Sequence, residues 1–329
     1  MTFAYSQMPL DRCSNDRKNK HWLTAEFNKA DTLFCLINNG KCLFKLDEIT
    51  PLFLGKTQLL TLYIDQCVFL GRNEQQAIFA VDQNKLKFSD QEELLTQGQW
   101  LSLRKHTSLL NPFDAAILAL AKGLVHWHKS HQFCGQCGNI NRSAEAGHAR
   151  KCTECRNMTF PRTDPAVIML VERMFADGVP RCLLGRQENW PDGVYSTLAG
   201  FVDPGETLEA TVIREVAEET TIIAENPSYI ASQPWPFPAS IMLGFIAQAS
   251  SEKIDTRQDS LENAQWFSRE QVANFAVYDS VINSEGKQKT QQYTPQHTPQ
   301  HTPQYKMSSS DSISAYLITA WLNKEIGKY

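Results

Sequence analysis

The sequence predicts an α/β protein with more than one domain. Short β-type segments fill the first 110 residues, two pairs of cysteines follow, and strand-like apolar runs alternate with helical segments in the remainder. The chain has 329 residues, 42% of them hydrophobic, so it can bury more than one core. Its net charge of −4 gives no general reason to bind nucleic acid.

Residues 1–110 are predicted to form a β-rich N-terminal domain. Residues 33–37 and 41–44, apolar apart from Lys41, flank Asn38-Asn39-Gly40, where Asn-Gly supplies the positive φ angles of a tight hairpin turn. Further strands are predicted at 59–64, 67–70 and 77–81. The region has no catalytic motif, so we expect it to serve as a scaffold or in dimerisation.

A connecting helix is predicted at residues 111–131, before the cysteines. Apolar side chains recur three or four residues apart at Ile117, Leu120, Leu124 and Trp127. This spacing is typical of one buried helix face. We therefore expect a helix that leads directly into the cysteine-containing segment.

Four cysteines predict a zinc ribbon at residues 132–162. Cys134-x-x-Cys137 and Cys152-x-x-Cys155 are separated by fourteen residues, the spacing of a structural site with four thiolate ligands for one Zn²⁺. A redox pair would open a helix after a strand, whereas Cys134 and Cys137 are each followed by glycine. Two disulfides are the alternative for a secreted protein, but the first residues lack a signal-peptide pattern.

The ribbon region is locally basic. It and its flanks contain more cations than anions: Lys129, Arg142, Arg150, Lys151, Arg156 and Arg162 against Glu145 and Glu154. Such a surface could contact RNA phosphates. The alternative is that these side chains only solvate a small metal module.

The last 167 residues alternate predicted strands and helices. Residues 166–171 are continuously apolar, as in a buried strand, and further strands are predicted at 182–186, 195–199 and 241–247 and around Trp266-Phe267. A helix follows Thr207, its expected N-cap, because Leu208, Val212 and Val216 recur every four residues. A final helix is predicted at 312–323.

Three carboxylates on the helix after Thr207 form the main candidate site. Glu215, Glu218 and Glu219 are three and four residues apart, so their side chains converge on one part of the helix surface. Like charges held so close repel, which a hard divalent cation such as Mg²⁺ would relieve. The alternative is an ordinary solvated acidic face.

The residues around these acids resemble the Nudix hydrolase box. Matching positions within residues 200–222 are Gly200, Glu206, Arg214, Glu215, Val216, Glu218, Glu219 and Ile222. Thr221 stands where the family has glycine, and a β-branched residue is rarely left-handed, so we expect this turn to be built differently, with altered stability before lost chemistry. The resemblance implies a Nudix α/β/α sandwich with a mixed sheet, at residues 163–329.

A second segment narrows the resemblance. Residues 232–240, S-Q-P-W-P-F-P-A-S, look like the sequence that distinguishes NADH pyrophosphatases. Its prolines stiffen the chain, so Trp235 and Phe237 are presented with little entropy left to lose, and rigid aromatic faces suit a nicotinamide or adenine ring. The alternative is an aromatic plug in a hydrophobic gap.

The resemblance implies roles for individual residues. Glu215, Glu218 and Glu219 would be catalytic and hold Mg²⁺ or Mn²⁺, with one of them also serving as base. Arg214 would pair with Glu206, and Gly200 would let the backbone approach the site. The implied substrate-binding residues are Phe160, Phe201, Gln233, Trp235, Ser240, Met242 and Ser314, the last standing where alanine is common.

One further departure concerns a metal ligand. The family often has another carboxylate six positions, and sometimes three, before the Trp-Phe pair. Here Ser260 and Asn263 occupy those places, and Asp259 and Glu262 are each one residue away. A small register change would restore the ligand.

The implied reaction is hydrolysis of the diphosphate of NADH, and of NAD⁺ or related dinucleotides, to nicotinamide mononucleotide and AMP. One alternative is removal of a 5′ NAD cap from RNA by the same site. Another is an inactive Nudix and zinc-ribbon interaction module, which Thr221, Ser260 and Asn263 favour. We further expect a cytoplasmic homodimer without membrane segments, and a low-complexity insertion at about 284–306 that contains a Thr-Pro-Gln repeat.

Overall fold

The chain folds into two compact units in a computed structural model that describes residues 3–87, 96–257, 261–278, 280–282, 288–290 and 304–329. The N-terminal unit comprises Thr2–Thr163 together with the short segment Trp235–Ala239. The C-terminal unit comprises Asp164–Pro234 and Ser240–Tyr329. The Thr-Pro-Gln repeat lies almost wholly outside the described residues.

The N-terminal unit is built on a six-stranded sheet. Its helices are α1 (Lys20–Asn28), α2 (Leu103–His106) and α3 (Pro112–Ser130). Its strands are β1 (Leu33–Asn38), β2 (Lys41–Lys45), β3 (Phe53–Gly55), β4 (Cys67–Arg72), β5 (Ala77–Asp82), β6 (Gly98–Leu101), β7 (Asn141–Ala144), β8 (Ala149–Cys152) and β9 (Met158–Thr159). The large sheet has the order β4-β5-β1-β2-β6 with β3 paired to β1, and β7-β8-β9 form a separate ribbon sheet.

Most predicted strands of this unit are confirmed, but the one at residues 59–64 is wrong. The β1–β2 hairpin turns at Asn39 and Gly40, both with positive φ, as the Asn-Gly pair predicts. Residues 59–63 lie instead between two 3₁₀ turns, Lys56–Gln58 and Ile64–Gln66, and the second turn includes residue 64. Leu59 and Leu62 are buried there while Leu60 is exposed, a spacing of three that a strand cannot produce.

Helix α3 confirms the predicted connecting helix. The Asn111 side chain caps its first turn by accepting the Phe113 N–H at 2.8 Å, and Pro112 occupies the first helical position. Ile117, Leu124 and other apolar residues of α3 pack into the same core as β1, β2, β4 and β5. Burial of this face holds the helix on the sheet.

The C-terminal unit contains a mixed sheet flanked by helices. Its helices are α4 (Leu208–Thr220), α5 (Arg269–Ala273) and α6 (Ile313–Leu322). Its strands are β10 (Asp164–Met174), β11 (Pro180–Gln187), β12 (Val194–Tyr195), β13 (Leu198–Phe201), β14 (Ala224–Trp235), β15 (Ser240–Ala249), β16 (Leu261–Ser268), β17 (Ala276–Val277), β18 (Ser280–Ile282), β19 (Gln288–Thr290) and β20 (Lys306–Met307).

The main sheet of this unit has the order β14-β15-β10-β11-β16, with β13 paired to β10. Strands β10 and β15 are parallel, and β13 runs antiparallel to β10 with Gly200 opposite Val167. The predicted strand at 195–199 is divided into β12 and β13, because Ser196 turns aside to exchange backbone hydrogen bonds with Gly185. Helix α4 buries Val212 and Val216 in the core of this sheet.

Among the described residues, no helix is both long enough and apolar enough to cross a membrane. The remaining sheets of the C-terminal unit are small, β12-β20-β17 and β18-β19. The candidate site lies on the main sheet, where α4 and β13 meet β10.

Candidate active site

Helix α4 fixes the three candidate acids on one surface. Thr207 caps the helix, as predicted, by accepting the Ala210 N–H at 3.2 Å. Val212 and Val216 are fully buried, which sets the rotation of the helix on the sheet. Glu219 is consequently almost buried, at 8% exposure, whereas Glu218 is exposed.

Arg214 links three carboxylates. Its Nη1 donates to Glu215 Oε1 at 2.9 Å and to Glu218 Oε2 at 2.8 Å. Its Nε donates to Glu206 Oε1 at 2.7 Å, and its Nη2 donates to Glu206 Oε2 and to the Phe201 carbonyl, each at 2.9 Å. The guanidinium thus ties α4 to the preceding loop and to the end of β13, as a bidentate arginine can.

Glu206 is stabilised as an anion by this network. Hydrogen bonds from Arg214 lower the pKa of its carboxyl group to about 2. The Asp203 N–H and the Thr211 hydroxyl also donate to it, at 3.1 and 2.9 Å. Glu206 is therefore committed as an anion to Arg214, which fits the supporting role that the family resemblance implies.

Gly200 lies directly beneath the Glu215 carboxylate. A Cβ at this position would overlap Glu215 Cδ and both of its oxygens. Glycine is required here because it lets the acid reach over the edge of β13. The sequence predicts this close approach.

The acids offer a donor set of the right kind for a hard divalent cation. All three are carboxylates, the ligand type that Mg²⁺ and Mn²⁺ prefer, and they project from one helix surface beside a glycine that makes room for one of them. Within the described residues, only the four ribbon cysteines bring three or more ligand atoms within 4.8 Å of one another. Glu215 and Glu218 are drawn instead toward Arg214, which offsets part of their mutual repulsion.

Thr221 corrects one expectation. It adopts the left-handed conformation, with φ 60° and ψ 9°, and its N–H donates to the Ala217 carbonyl at 2.8 Å. The turn after the helix is therefore built as a glycine would build it, with threonine in a strained conformation. The Thr221 hydroxyl donates to the Thr220 carbonyl at 2.6 Å.

The segment expected to supply a further acid contains a β-bulge. Register between β11 and β16 shifts from Arg186 opposite Asn263 to Gln187 opposite Leu261, so Glu262 is the extra residue. Glu262 forms an ion pair with Arg186. The register change that could restore the missing carboxylate ligand is therefore present, but Glu262 is paired with Arg186. Ser260 and Asp259 lie outside the described residues.

Asn263 belongs to a small polar network. Its Oδ1 accepts hydrogen bonds from the Tyr195 hydroxyl at 2.9 Å and from Gln265 Nε2 at 2.8 Å. Gln265 also donates to the Tyr195 hydroxyl at 2.9 Å. The amide that replaces the family's carboxylate is therefore held by neutral partners.

Two predicted substrate residues, one beside the start of α6 and one within its first turn, are held by hydrogen bonds. Gln233 is fully buried, donates to the Asp311 carbonyl and accepts the Ile313 N–H, both at 2.8 Å. Ser314 is buried and lies 2.8 Å from Ser196 Oγ. Their substrate roles stay predictions.

The other predicted substrate residues of this unit differ in exposure. Ser240, the first residue of β15, is buried, Met242 is half-buried, and Phe201 is 58% exposed at the end of β13. Only Phe201 therefore presents a ring that a planar ligand could cover, and its carbonyl is the one that binds Arg214.

Trp235 packs within the N-terminal unit. Its ring meets those of Tyr5 and Phe237 edge-on, with centroids 6.4 and 5.3 Å away, and the Arg104 guanidinium lies 4.5 Å from its centroid. Lys122 lies 5.0 Å from the Phe237 ring. No sequence pattern indicates Arg104 or Lys122, because their partners are more than 100 residues away in the chain. Ring recognition by Trp235 stays a prediction.

The four-cysteine cluster brings together Cys134, Cys137, Cys152 and Cys155. Sulfur atoms of three pairs lie 3.4 to 3.6 Å apart, near the edge of about 3.8 Å expected for a tetrahedron with Zn–S bonds of about 2.3 Å. These separations exceed the S–S bond of about 2.05 Å, so the cysteines are not paired as disulfides. Asn139 Nδ2 donates to Cys137 Sγ at 3.7 Å, a hydrogen bond that favours the thiolate form that Zn²⁺ needs.

Comparison with known families gives three matches along the chain. Residues 162–283 match the NUDIX domain, residues 31–127 match the NADH pyrophosphatase-like rudimentary NUDIX domain, and residues 129–160 match the NADH pyrophosphatase zinc ribbon domain.

Curated relatives extend over most of the chain. The NAD-capped RNA hydrolase NudC of Deinococcus radiodurans is 37% identical over 237 residues, which cover 72% of this chain and 80% of that protein. The NAD-capped RNA hydrolase NUDT12 of Homo sapiens is 31% identical over 327 residues, covering 87% and 69%. The mitochondrial NAD(P)H pyrophosphatase NUDT13 of Homo sapiens is 39% identical over 222 residues, covering 64% and 62%.

Proposed function

The chain belongs to the Nudix hydrolase family, in the group of NADH pyrophosphatases and NAD-capped RNA hydrolases with a zinc ribbon, and on this premise we propose that it hydrolyses the diphosphate of NADH. The products are nicotinamide mononucleotide, in its reduced form, and AMP. NAD⁺ and related dinucleotides contain the same bond and are weaker substrates.

The observation that carries this proposal is the placement of Glu215 over Gly200 on a helix that also presents Glu218 and Glu219. We assign these three acids to holding Mg²⁺ or Mn²⁺. Such an ion neutralises charge on the diphosphate oxygens, which otherwise repel an attacking water.

The side chains of this site serve the hydrolysis in two ways, by accepting a proton and by holding the acids in place. Water adds to one phosphorus, the bridging P–O bond breaks, and one of the three glutamates accepts the proton from the water. Arg214 does not act on the substrate in this scheme, because four of its hydrogen bonds go to glutamates. It holds Glu215 and Glu218 in place, and Glu206 anchors it.

Removal of the NAD cap from RNA is the second candidate. It breaks the same bond. Two relatives are named NAD-capped RNA hydrolases, from Deinococcus radiodurans and Homo sapiens, and this chain matches more than two thirds of the length of each.

The proposal also includes several predictions from the sequence. These are the domain boundaries, a homodimer, a cytoplasmic location, and substrate contacts of Phe160, Phe201 and Met242.

The test is incubation of the purified protein and Mn²⁺ with NADH and, separately, with NAD-capped RNA, followed by chromatographic identification of products. Cleavage of neither substrate would support the inactive interaction module instead. Glu219→Gln should abolish cleavage without unfolding the protein, whereas Glu209→Gln, an exposed acid on the first turn of the same helix, should leave cleavage unchanged. Equal activity in both variants would contradict the metal-site assignment.

A further inference from the structure

One face of the ribbon sheet carries two adjacent cations. Arg142 on β7 lies directly opposite Lys151 on β8, and Lys151 lies opposite Met158 on β9. Cross-strand partners share a face, so these three side chains form one row. Phe160 continues the alternation two residues after Met158 and is 61% exposed. We call Arg142, Lys151, Met158 and Phe160 the outer ribbon face.

The opposite face of the same sheet is occupied. Arg150 projects to that side, where its Nη1 lies 2.8 Å from His128 Nδ1 on α3 and its Nη2 donates to the Asn141 carbonyl at 2.6 Å. Cys152, opposite Asn141, projects to the same side. The cysteine charge and the contacts with α3 therefore lie away from Lys151.

Among the described residues, no carboxylate pairs with the two cations of the outer ribbon face. Like charges directly opposite each other destabilise a sheet. Over the part of the chain that the structure describes, neither Arg142 nor Lys151 forms an ion pair, and both are exposed. Of the two ribbon acids, Glu145 interacts with Arg17, and Glu154 lies in the second cysteine turn.

We propose that the outer ribbon face binds single-stranded RNA, with its phosphates on Arg142 and Lys151. An anion from outside the chain would relieve the repulsion of the two cations. Exposed aromatic rings beside cations are the combination that binds single strands without sequence preference, because every base has a face that stacks. The inference rests on the RNA substrate of the proposed function. The outer ribbon face would bind the RNA nucleotides that follow the cap.

The test measures binding of a fluorescent RNA of about 12 nucleotides with a 5′-hydroxyl and no cap, by anisotropy at several salt concentrations. Each phosphate contact to a single strand contributes about 0.7 to the slope of log affinity against log salt. Arg142→Ala/Lys151→Ala should therefore reduce the slope by about 1.4, which corresponds to about 25-fold weaker binding at 0.1 M salt. Lys18→Ala/Lys20→Ala removes the same charge from exposed positions of the same unit and should change binding little.

Hydrolysis of NADH separates this inference from the proposed function. The double variant should cleave free NADH at the rate of the unmodified protein and retain its zinc, while its KM for NAD-capped RNA rises. Because the uncapped RNA requires no catalysis, its binding tests the ribbon even if neither substrate is cleaved. The inference is overturned if the double variant binds RNA normally, if the control weakens binding equally, or if the face binds only vesicles containing phosphatidylserine.

Discussion

Replacing Gly200 with alanine should strongly lower activity while leaving the fold in place. The added Cβ would overlap the Glu215 carboxylate, whose position over β13 depends on the absence of a side chain. Only the flexible end of Glu215 has to move, because no backbone atom is among the atoms that the Cβ overlaps most. Arg214 would lose its contact with Glu215 but keep those with Glu206 and Glu218.

The expected magnitudes follow from this geometry. Carbon atoms in contact lie about 3.5–4.0 Å apart, so the carboxylate must withdraw by more than about 1 Å. A displacement of that size at a reacting centre lowers the rate by about 100-fold, or about 2.7 kcal/mol of transition-state stabilisation. The free energy of unfolding should change by less than about 1 kcal/mol, since alanine also restricts the unfolded chain.

The assay compares kcat/KM for NADH with the urea unfolding midpoint of the same preparation. Gly185→Ala is the matched control, because its Cβ would meet Leu198 and Leu261 and no acid. That variant should lose about 1 kcal/mol of stability by overpacking and keep its activity. A Gly200→Ala enzyme with full activity would refute the placement of Glu215 as a metal-holding acid.

Three other predictions follow from particular residues. Thr221→Gly should raise Tm by roughly 2 °C without changing kcat, because relief of about 1–2 kcal/mol of left-handed strain exceeds the entropy cost of glycine; Thr256→Gly, at an ordinary backbone position, should lower Tm. Burial holds the pKa of His128 and His148 at about 4, below the usual 6.5, so the native state binds fewer protons than the unfolded chain. Urea unfolding should therefore show full stability above about pH 6.5 and a loss of about 2–3 kcal/mol per ring as pH falls toward 4, which a pH-independent free energy would contradict. Chelation of zinc should abolish hydrogen-exchange protection of the ribbon strands while β10 and β15 stay protected, because uncompensated thiolates repel.

Local patterns in the sequence predicted the elements whose determinants are local. Asn39 and Gly40 specify the hairpin by their own backbone preferences, and Thr207 starts α4 through a hydrogen bond three residues away. The acids of α4 could be placed together because helix geometry alone fixes their spacing. The same holds for the cysteines, whose two short turns each set a pair of ligands.

What the sequence missed depends on distant contacts. The apolar run at 59–64 has the composition of a strand, but Leu59 and Leu62 are buried by neighbours that no local pattern reveals. For Trp235 the sequence predicts contact with a ligand ring, which stays a prediction, but it does not reveal that Tyr5 and Arg104 pack against this ring within the N-terminal unit. A proline-stiffened aromatic pair presents its faces equally well to a ligand or to protein, so the sequence could not choose between them.

The departures from the family pattern therefore carry unequal weight against activity. Thr221 keeps the left-handed turn, just as Arg156 takes φ 65° after the second cysteine pair where Gly138 takes φ 77° after the first. At both places the fold needs a backbone angle, and a side chain other than glycine supplies it at a cost in strain. Thr221 consequently leaves the acids of α4 where a glycine would leave them. Residues 260–263 are then the departure that favours an inactive module, because Glu262 is bulged and held by Arg186. Activity requires only that Glu215, Glu218 and Glu219 suffice without that acid.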